Sequence, residues 1–105
     1  MFLRTVTIEL AEGQETELYA FWEWASAIVR EQPGYIRGLL VREVSDPRTF
    51  VELHYWQREE DSLAYRNSER FREVIKRLQA LSRRPPVSAG FSIERESAGS
   101  AEEAG

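Results

Sequence analysis

Residues 32–56, QPGYIRGLLVREVSDPRTFVELHYW, contain two strand-like runs on either side of a turn. Ser45-Asp46-Pro47-Arg48 is the turn, because proline presets one turn dihedral and the preceding Ser and Asp can bond to nearby backbone amides. In the first run, Tyr35 to Val44, Ile36, Leu40 and Val44 alternate with Tyr35, Leu39 and Val41. Successive strand residues point to opposite faces, so large apolar groups are predicted on both, which implies a strand buried on two sides. The second run sets Phe50, Glu52, His54 and Trp56 on one face and Val51, Leu53 and Tyr55 on the other. A hairpin is the simplest connection.

The flanking sequence completes the pattern. Residues 2–10, FLRTVTIEL, place Phe2, Val6, Ile8 and Leu10 at even positions and predict a strand with one apolar face. After Ala11-Glu12-Gly13, Glu15 and Glu17 favour a helix start, and Leu18, Phe21, Trp22, Ala25, Ile28 and Val29 form a helical stripe to about Glu31, ended by Pro33-Gly34. From Glu59 to Leu81 the period is again helical, with Leu63, Phe71, Val74, Leu78 and Leu81 in the stripe. Asn67-Ser68 should interrupt it, since both are good caps and poor helix-interior residues. Pro85-Pro86 ends that helix, and Val87, Ala89, Phe91 and Ile93 mark one face of a last strand. Residues 96–105 carry no apolar anchor and read as a flexible acidic tail after a single domain of residues 1–95.

Strand, helix, hairpin, helix, strand is the α+β, ferredoxin-like β-α-β-β-α-β order, in which two helices cover one face of a four-stranded antiparallel sheet. The uncovered face is expected to be buried against a second copy, giving a homodimer.

Composition narrows the functions. The 105 residues include no cysteine and one histidine, which removes thiolate metal sites and thiol nucleophiles and leaves no metal site expected. A net charge of −4 argues against nucleic acid as a partner, because phosphate contacts need accumulated Lys and Arg. The local exception, Arg66 to Arg84, has helical ion-pair spacing and reads as a solvated face. The third strand also lacks the glycine and aromatic signature of RNA-recognition domains. No apolar run is long enough to span a bilayer, and Met1-Phe2-Leu3-Arg4 lacks the layout of a signal peptide, so a cytoplasmic location without membrane association is expected.

The segment QPGYIRGLLVREVSDPRTFVELHYWQREEDSLAYRNSERF resembles the antibiotic biosynthesis monooxygenase family, a group of dimeric α+β barrels. The resemblance is carried by Pro33-Gly34 with Tyr35, the Gly38 strand, the Asp46-Pro47 hairpin, Trp56 closing the third strand, the acidic helix start, and Asn67-Ser68 followed by Phe71. It implies one of three things: a cofactor-free oxygenase acting on electron-rich aromatic compounds, a haem-degrading enzyme, or a member with no reaction. Matching to haem-degrading relatives puts their Asn, Trp and His at Val6, Tyr65 and Ile75, where neither Val nor Ile can bond or ligate. Matching to quinone-forming relatives puts their Asn, Tyr and Arg at Glu52, Ser62 and Lys76, with Trp56 kept. Glu52 cannot supply the neutral amide donor of Asn.

The expected site is therefore a constellation on the third strand. Glu52 and His54 are the candidate acid–base groups; Trp56, Tyr65 and Trp24 are the candidate substrate contacts. The function expected is oxidation of a small aromatic or polycyclic compound by O2 without a cofactor. The alternative is a non-catalytic dimer of the same fold that binds a small molecule.

Overall fold

The computed structural model describes residues 1–100, so five residues of the expected tail lie outside the described residues. Its elements are β1 (Phe2–Glu9), α1 (Glu15–Val29), β2 (Tyr35–Arg42), β3 (Thr49–Trp56), α2 (Glu59–Arg66), α3 (Glu69–Leu81) and β4 (Val87–Ser92). The strands form one antiparallel sheet in the order β2-β3-β1-β4, the ferredoxin-like arrangement.

Each boundary has a local cause. In the hairpin turn the Asp46 carboxylate accepts from Thr49 Oγ1 at 2.7 Å and from the Arg48 amide at 3.3 Å, and the Thr49 hydroxyl bond holds the exposed carboxyl below its ordinary pKa. Ser45, expected to bond backbone, donates to the Glu43 carboxylate instead. α1 stops at Val29, two residues before the expected Glu31, because Glu31 and Gln32 donate to the third residue back and tighten the last turn. Gly34 then takes φ +82°, and a β-carbon there would run into the Asp61 carboxylate. The expected break at Asn67-Ser68 is present. Ser68 caps α3 by accepting the Phe71 amide at 3.2 Å while donating to the Tyr65 carbonyl at 2.6 Å.

The three helices lie on one face of the sheet, and the core between the layers includes Ile8, Leu18, Phe21, Phe50, Trp56, Val74 and Leu78. Leu63, expected in the apolar stripe, is exposed. Because α2 is a separate short helix, it buries Ser62 and Tyr65 in its place.

Two features of β2 depart from simple alternation. The strand ends at Arg42, leaving Val44 fully exposed. Its register also shifts between Tyr35 and Arg37: Tyr35 pairs with Trp56 and Arg37 with the adjacent Tyr55, so Ile36 is an extra residue. Tyr35 therefore shares the helix-covered face with Gly38 and Leu40, whereas parity had placed it with Leu39 and Val41. On the opposite face Leu39, Val41, Val87 and Phe91 are exposed around the half-buried Leu3, Val51, Leu53 and Tyr55. Among the described residues no helix is long and apolar enough to cross a membrane.

Ser68→Ala should cost about 1 kcal/mol, the usual worth of an N-cap. Urea unfolding should show a lower midpoint with an unchanged slope.

Candidate functional site

Between the sheet and the helices lies a cavity of about 220 Å³. Its sheet wall comes from alternate residues: Arg4 and Val6 of β1, Glu52, His54 and Trp56 of β3, and Ser88 of β4. α1 contributes Phe21, Trp22 and Val29, α2 contributes Ser62, Tyr65 and Arg66, and α3 contributes Phe71, Val74 and Ile75. Most of the lining is apolar, so its few polar groups act at low local dielectric.

Two of those polar groups, His54 and Glu52, form a chain with Tyr35, which stands behind the lining. The Tyr35 hydroxyl lies 2.8 Å from His54 Nδ1, and His54 Nε2 lies 3.0 Å from Glu52 Oε1. An ionised carboxylate only accepts, so a neutral His54 donates through Nε2–H to Glu52, which leaves Nδ1 to accept from Tyr35. The partners thus assign one tautomer. Glu52 is buried, 7% exposed, and its side-chain hydrogen-bond partner is His54. Trp22 stacks on the imidazole at 5.8 Å and 25°.

Tyr35 can reach His54 only because residue 38 has no side chain. A β-carbon on Gly38 would run into the Tyr35 hydroxyl and sit 3.2 Å from His54 Nδ1 and 3.3 Å from Trp22. The tyrosine cannot easily give way, since its ring is packed edge-on against Trp56 at 5.0 Å. Burial, then the Glu52 charge, raise the Tyr35 pKa well above that of a free phenol. The same causes push Tyr65 up to about 12 against an opposing Arg70, so both rings remain neutral phenols near neutral pH.

A second polar group lies on the β4 side. Arg4 is the cross-strand neighbour of His54 but reaches over Gly90, donating weakly to Ser88 Oγ at 3.4 Å. Burial, then the nearby Arg66 charge, lower its pKa, with Glu59 opposing. Neither arginine has a carboxylate ion pair among the described residues.

Four of the five residues singled out in the sequence, Glu52, His54, Trp56 and Tyr65, meet at this cavity. Trp24 does not. It sits beside Phe21 with the Arg77 guanidinium 3.9 Å over its ring, because its position flanks the α1 stripe and turns it toward α3. Sequence reasoning missed Tyr35, hidden by the bulge, and counted Trp22 as plain core. It also passed over Arg4, although a charged residue at an even position of β1 was a visible signal. Val6 and Ile75, aligned with the haem-degrading groups, are apolar wall, and Lys76 is exposed outside the lining. Among the described residues no group of three or more His, Asp or Glu could hold a metal ion.

The fold and this cavity define a ferredoxin-like α+β domain with a pocket between sheet and helices. The chain belongs to the antibiotic biosynthesis monooxygenase family, whose sequence model matches residues 1–77. Solved structures agree on the fold. SnoaB from Streptomyces nogalater, described as a cofactor-independent oxygenase, is similar over 90% of this chain and 95% of its own at 20% identity and a TM-score of 0.77. A conserved protein from Methanosarcina mazei Go1 is similar over 90% and 94%, at 15% identity and a TM-score of 0.80. Rv0793 from Mycobacterium tuberculosis is similar over 92% and 98%, at 12% identity and a TM-score of 0.79. No curated protein sequence matches the chain.

Gly38→Ala should displace the Tyr35 hydroxyl and lower stability by about 1–2 kcal/mol, the cost of breaking a partly buried hydrogen bond and leaving its acceptor unpaired. In a Tyr35→Phe background, where that hydroxyl is gone, the same substitution should cost much less. A double-mutant cycle by thermal unfolding measures the difference, and additive costs would contradict this account.

Proposed function

We propose that the chain is a cofactor-free oxygenase in which Glu52 takes a proton from a small phenolic substrate held against Trp56, and O2 attacks the resulting carbanion. The observation that carries this reading is the partly buried Tyr35, His54 and Glu52 chain opening on a largely apolar cavity. Glu52 uses Oε1 for His54, and its other oxygen has no hydrogen-bond partner among the described residues. That oxygen accepts the substrate proton. His54 Nε2–H stabilises the carboxylate before the transfer, and Tyr35 holds the imidazole in the tautomer that can donate.

The balance is complete with O2 alone. Deprotonation leaves an electron-rich carbanion, conjugated with the phenol oxygen. It passes one electron to O2, and recombination with superoxide forms the C–O bond of a peroxide. The proton on Glu52 returns to the peroxide, and loss of water leaves a new carbonyl. One oxygen atom stays in the product and the other leaves as water. An apolar cavity of about 150 Å³ admits benzene, so about 220 Å³ favours a substrate of one or two rings over a larger polycycle.

The proposal includes a homodimer formed through the open sheet face. Val87 is 65% and Phe91 50% exposed there, and they continue with Leu39 and Val41 into an apolar surface that a soluble monomer rarely presents. Sedimentation at micromolar concentration should show a dimer. Leu39→Asp, on the open face, should dissociate it, while a wild-type chain that sediments as a stable monomer would sink the barrel.

The reaction is tested by pairing oxygen uptake on a panel of mono- and dihydroxynaphthalenes with thermal unfolding. Glu52→Gln should lower uptake by about 10²-fold or more with little change in Tm, whereas His54→Ala, which also breaks the bonds to Tyr35 and Glu52, should lose as much activity at a stability cost of about 1–2 kcal/mol. Trp56→Ala should instead cost about 3–5 kcal/mol as a core cavity. Wild-type uptake no faster than autoxidation, or activity lost only in proportion to stability, would leave a small-molecule-binding dimer without chemistry.

A further inference from the structure

Three buried side-chain polar atoms have no protein partner among the described residues: Arg4 Nε, Trp56 Nε1 and Ser62 Oγ. All three residues line the same cavity. Trp56 and Ser62 are 2% and 1% exposed, so solvent cannot serve them from outside. The guanidinium and the indole N–H can only donate, and the serine hydroxyl is free to donate. Arg66, one turn after Ser62 on the same side of α2, adds a second positive charge to the cavity wall.

Two adjacent arginines with no carboxylate ion pair repel one another, an effect Glu59 offsets only in part, and buried donors without acceptors are costly to the fold. An anionic, acceptor-rich group placed among them relieves both. This end of the cavity is also distinct from the Glu52 end. Arg4 leans across Gly90 toward β4, whereas His54 is held toward β2 by Tyr35 and Trp22. The polar wall therefore holds the Glu52 carboxylate toward β2 and the Arg4 guanidinium toward β4, with the unpartnered Trp56 and Ser62 donors in the same lining.

We infer that the ligand of this cavity is a small aromatic carboxylate, its carboxylate bound by Arg4 with the Ser62 and Trp56 donors and its ring lying toward Glu52 and His54. The arginines act as a specificity determinant: they select for the anion and fix which edge of the ring meets the base. The inference deepens the proposed oxidation by naming its substrate class, and it rests on that reading of the cavity as a substrate site. Its test measures binding without turnover.

Under argon, titration calorimetry with 2-naphthoate and with 2-naphthamide compares an anion with a neutral molecule of nearly the same shape. The carboxylate should bind at least tenfold tighter to the wild-type protein. Arg4→Gln should abolish the preference, Arg4→Lys should retain part of it as a point charge without the planar fork, and Arg66→Gln should reduce it. Glu52→Gln should leave the preference standing. Equal affinity for the two compounds, binding of neither, or a preference that survives Arg4→Gln in a folded protein would overturn the inference. Because no oxygen is consumed, carboxylate selectivity without any oxygenase activity would uphold this ligand class and defeat only the reaction.

Discussion

An extra residue in an antiparallel strand turns everything before it onto the other face of the sheet, and Ile36 does this in β2 between Tyr35 and Arg37. Without it, Tyr35 would lie beside Leu39 on the open face and could not reach His54. With it, Tyr35 stands next to Trp56, its hydroxyl passes over Gly38, and the imidazole is pinned between phenol and carboxylate. The geometry of the polar chain depends on two small departures from an ideal strand: one residue too many, and one residue without a side chain. Both fall in the eight residues of β2.

The sheet then imposes the spacing of the site. Arg4 is the cross-strand partner of His54, Val6 of Glu52 and Phe2 of Trp56, and such partners have β-carbons about 4.5–5.5 Å apart. Arg4 and Glu52 are diagonal neighbours on this ladder, within reach of long side chains, and opposite charges so placed ordinarily pair. They do not here, because Gly90 on β4 leaves room for the Arg4 guanidinium to lean away, while Trp22 and Tyr35 hold His54 on the other side. The cavity persists between them because α2 and α3 are separate short helices joined at Asn67-Ser68 rather than one helix packed flat on the sheet.

Most of the architecture was legible in the sequence because it is written in local chemistry. Period-two alternation marked the strands, Asp46-Pro47 the hairpin and Ser68 the helix break, each acting through its own backbone neighbours. The grouping of Glu52, His54 and Trp56 followed from parity alone, since β3 has no bulge. Tyr35 was illegible for the converse reason: a bulge depends on how two strands pair, and parity along one strand carries no trace of it. Trp24 failed differently. Its position at the edge of the α1 stripe left either side open, and the Arg77 guanidinium on α3 settled which side it packs against. Arg4 was legible, because a charge at a core-parity position of β1 needs a reason, and the reason lies in the cavity.

The positions that the family resemblance would fill with polar groups are mostly wall in this chain. Val6 and Ile75 are aliphatic lining, Lys76 is outside, and Ser62 offers only a hydroxyl. Polarity is kept on β3 at Glu52 and is added on the strands at Arg4 of β1 and His54 of β3. Strand side chains stand at spacings fixed by the hydrogen-bond ladder, whereas α2 is an eight-residue helix held chiefly by its tertiary contacts. Charged groups that must keep their separation in an apolar cavity are better placed on the more rigid support. The helix supplies what tolerates small displacements: a hydroxyl, an aromatic face and the long, adjustable side chain of Arg66. This division sets the fixed electrostatics of the cavity on the sheet and its adaptable contacts on the helices, and it lets one fold carry different polar groups without repacking its core.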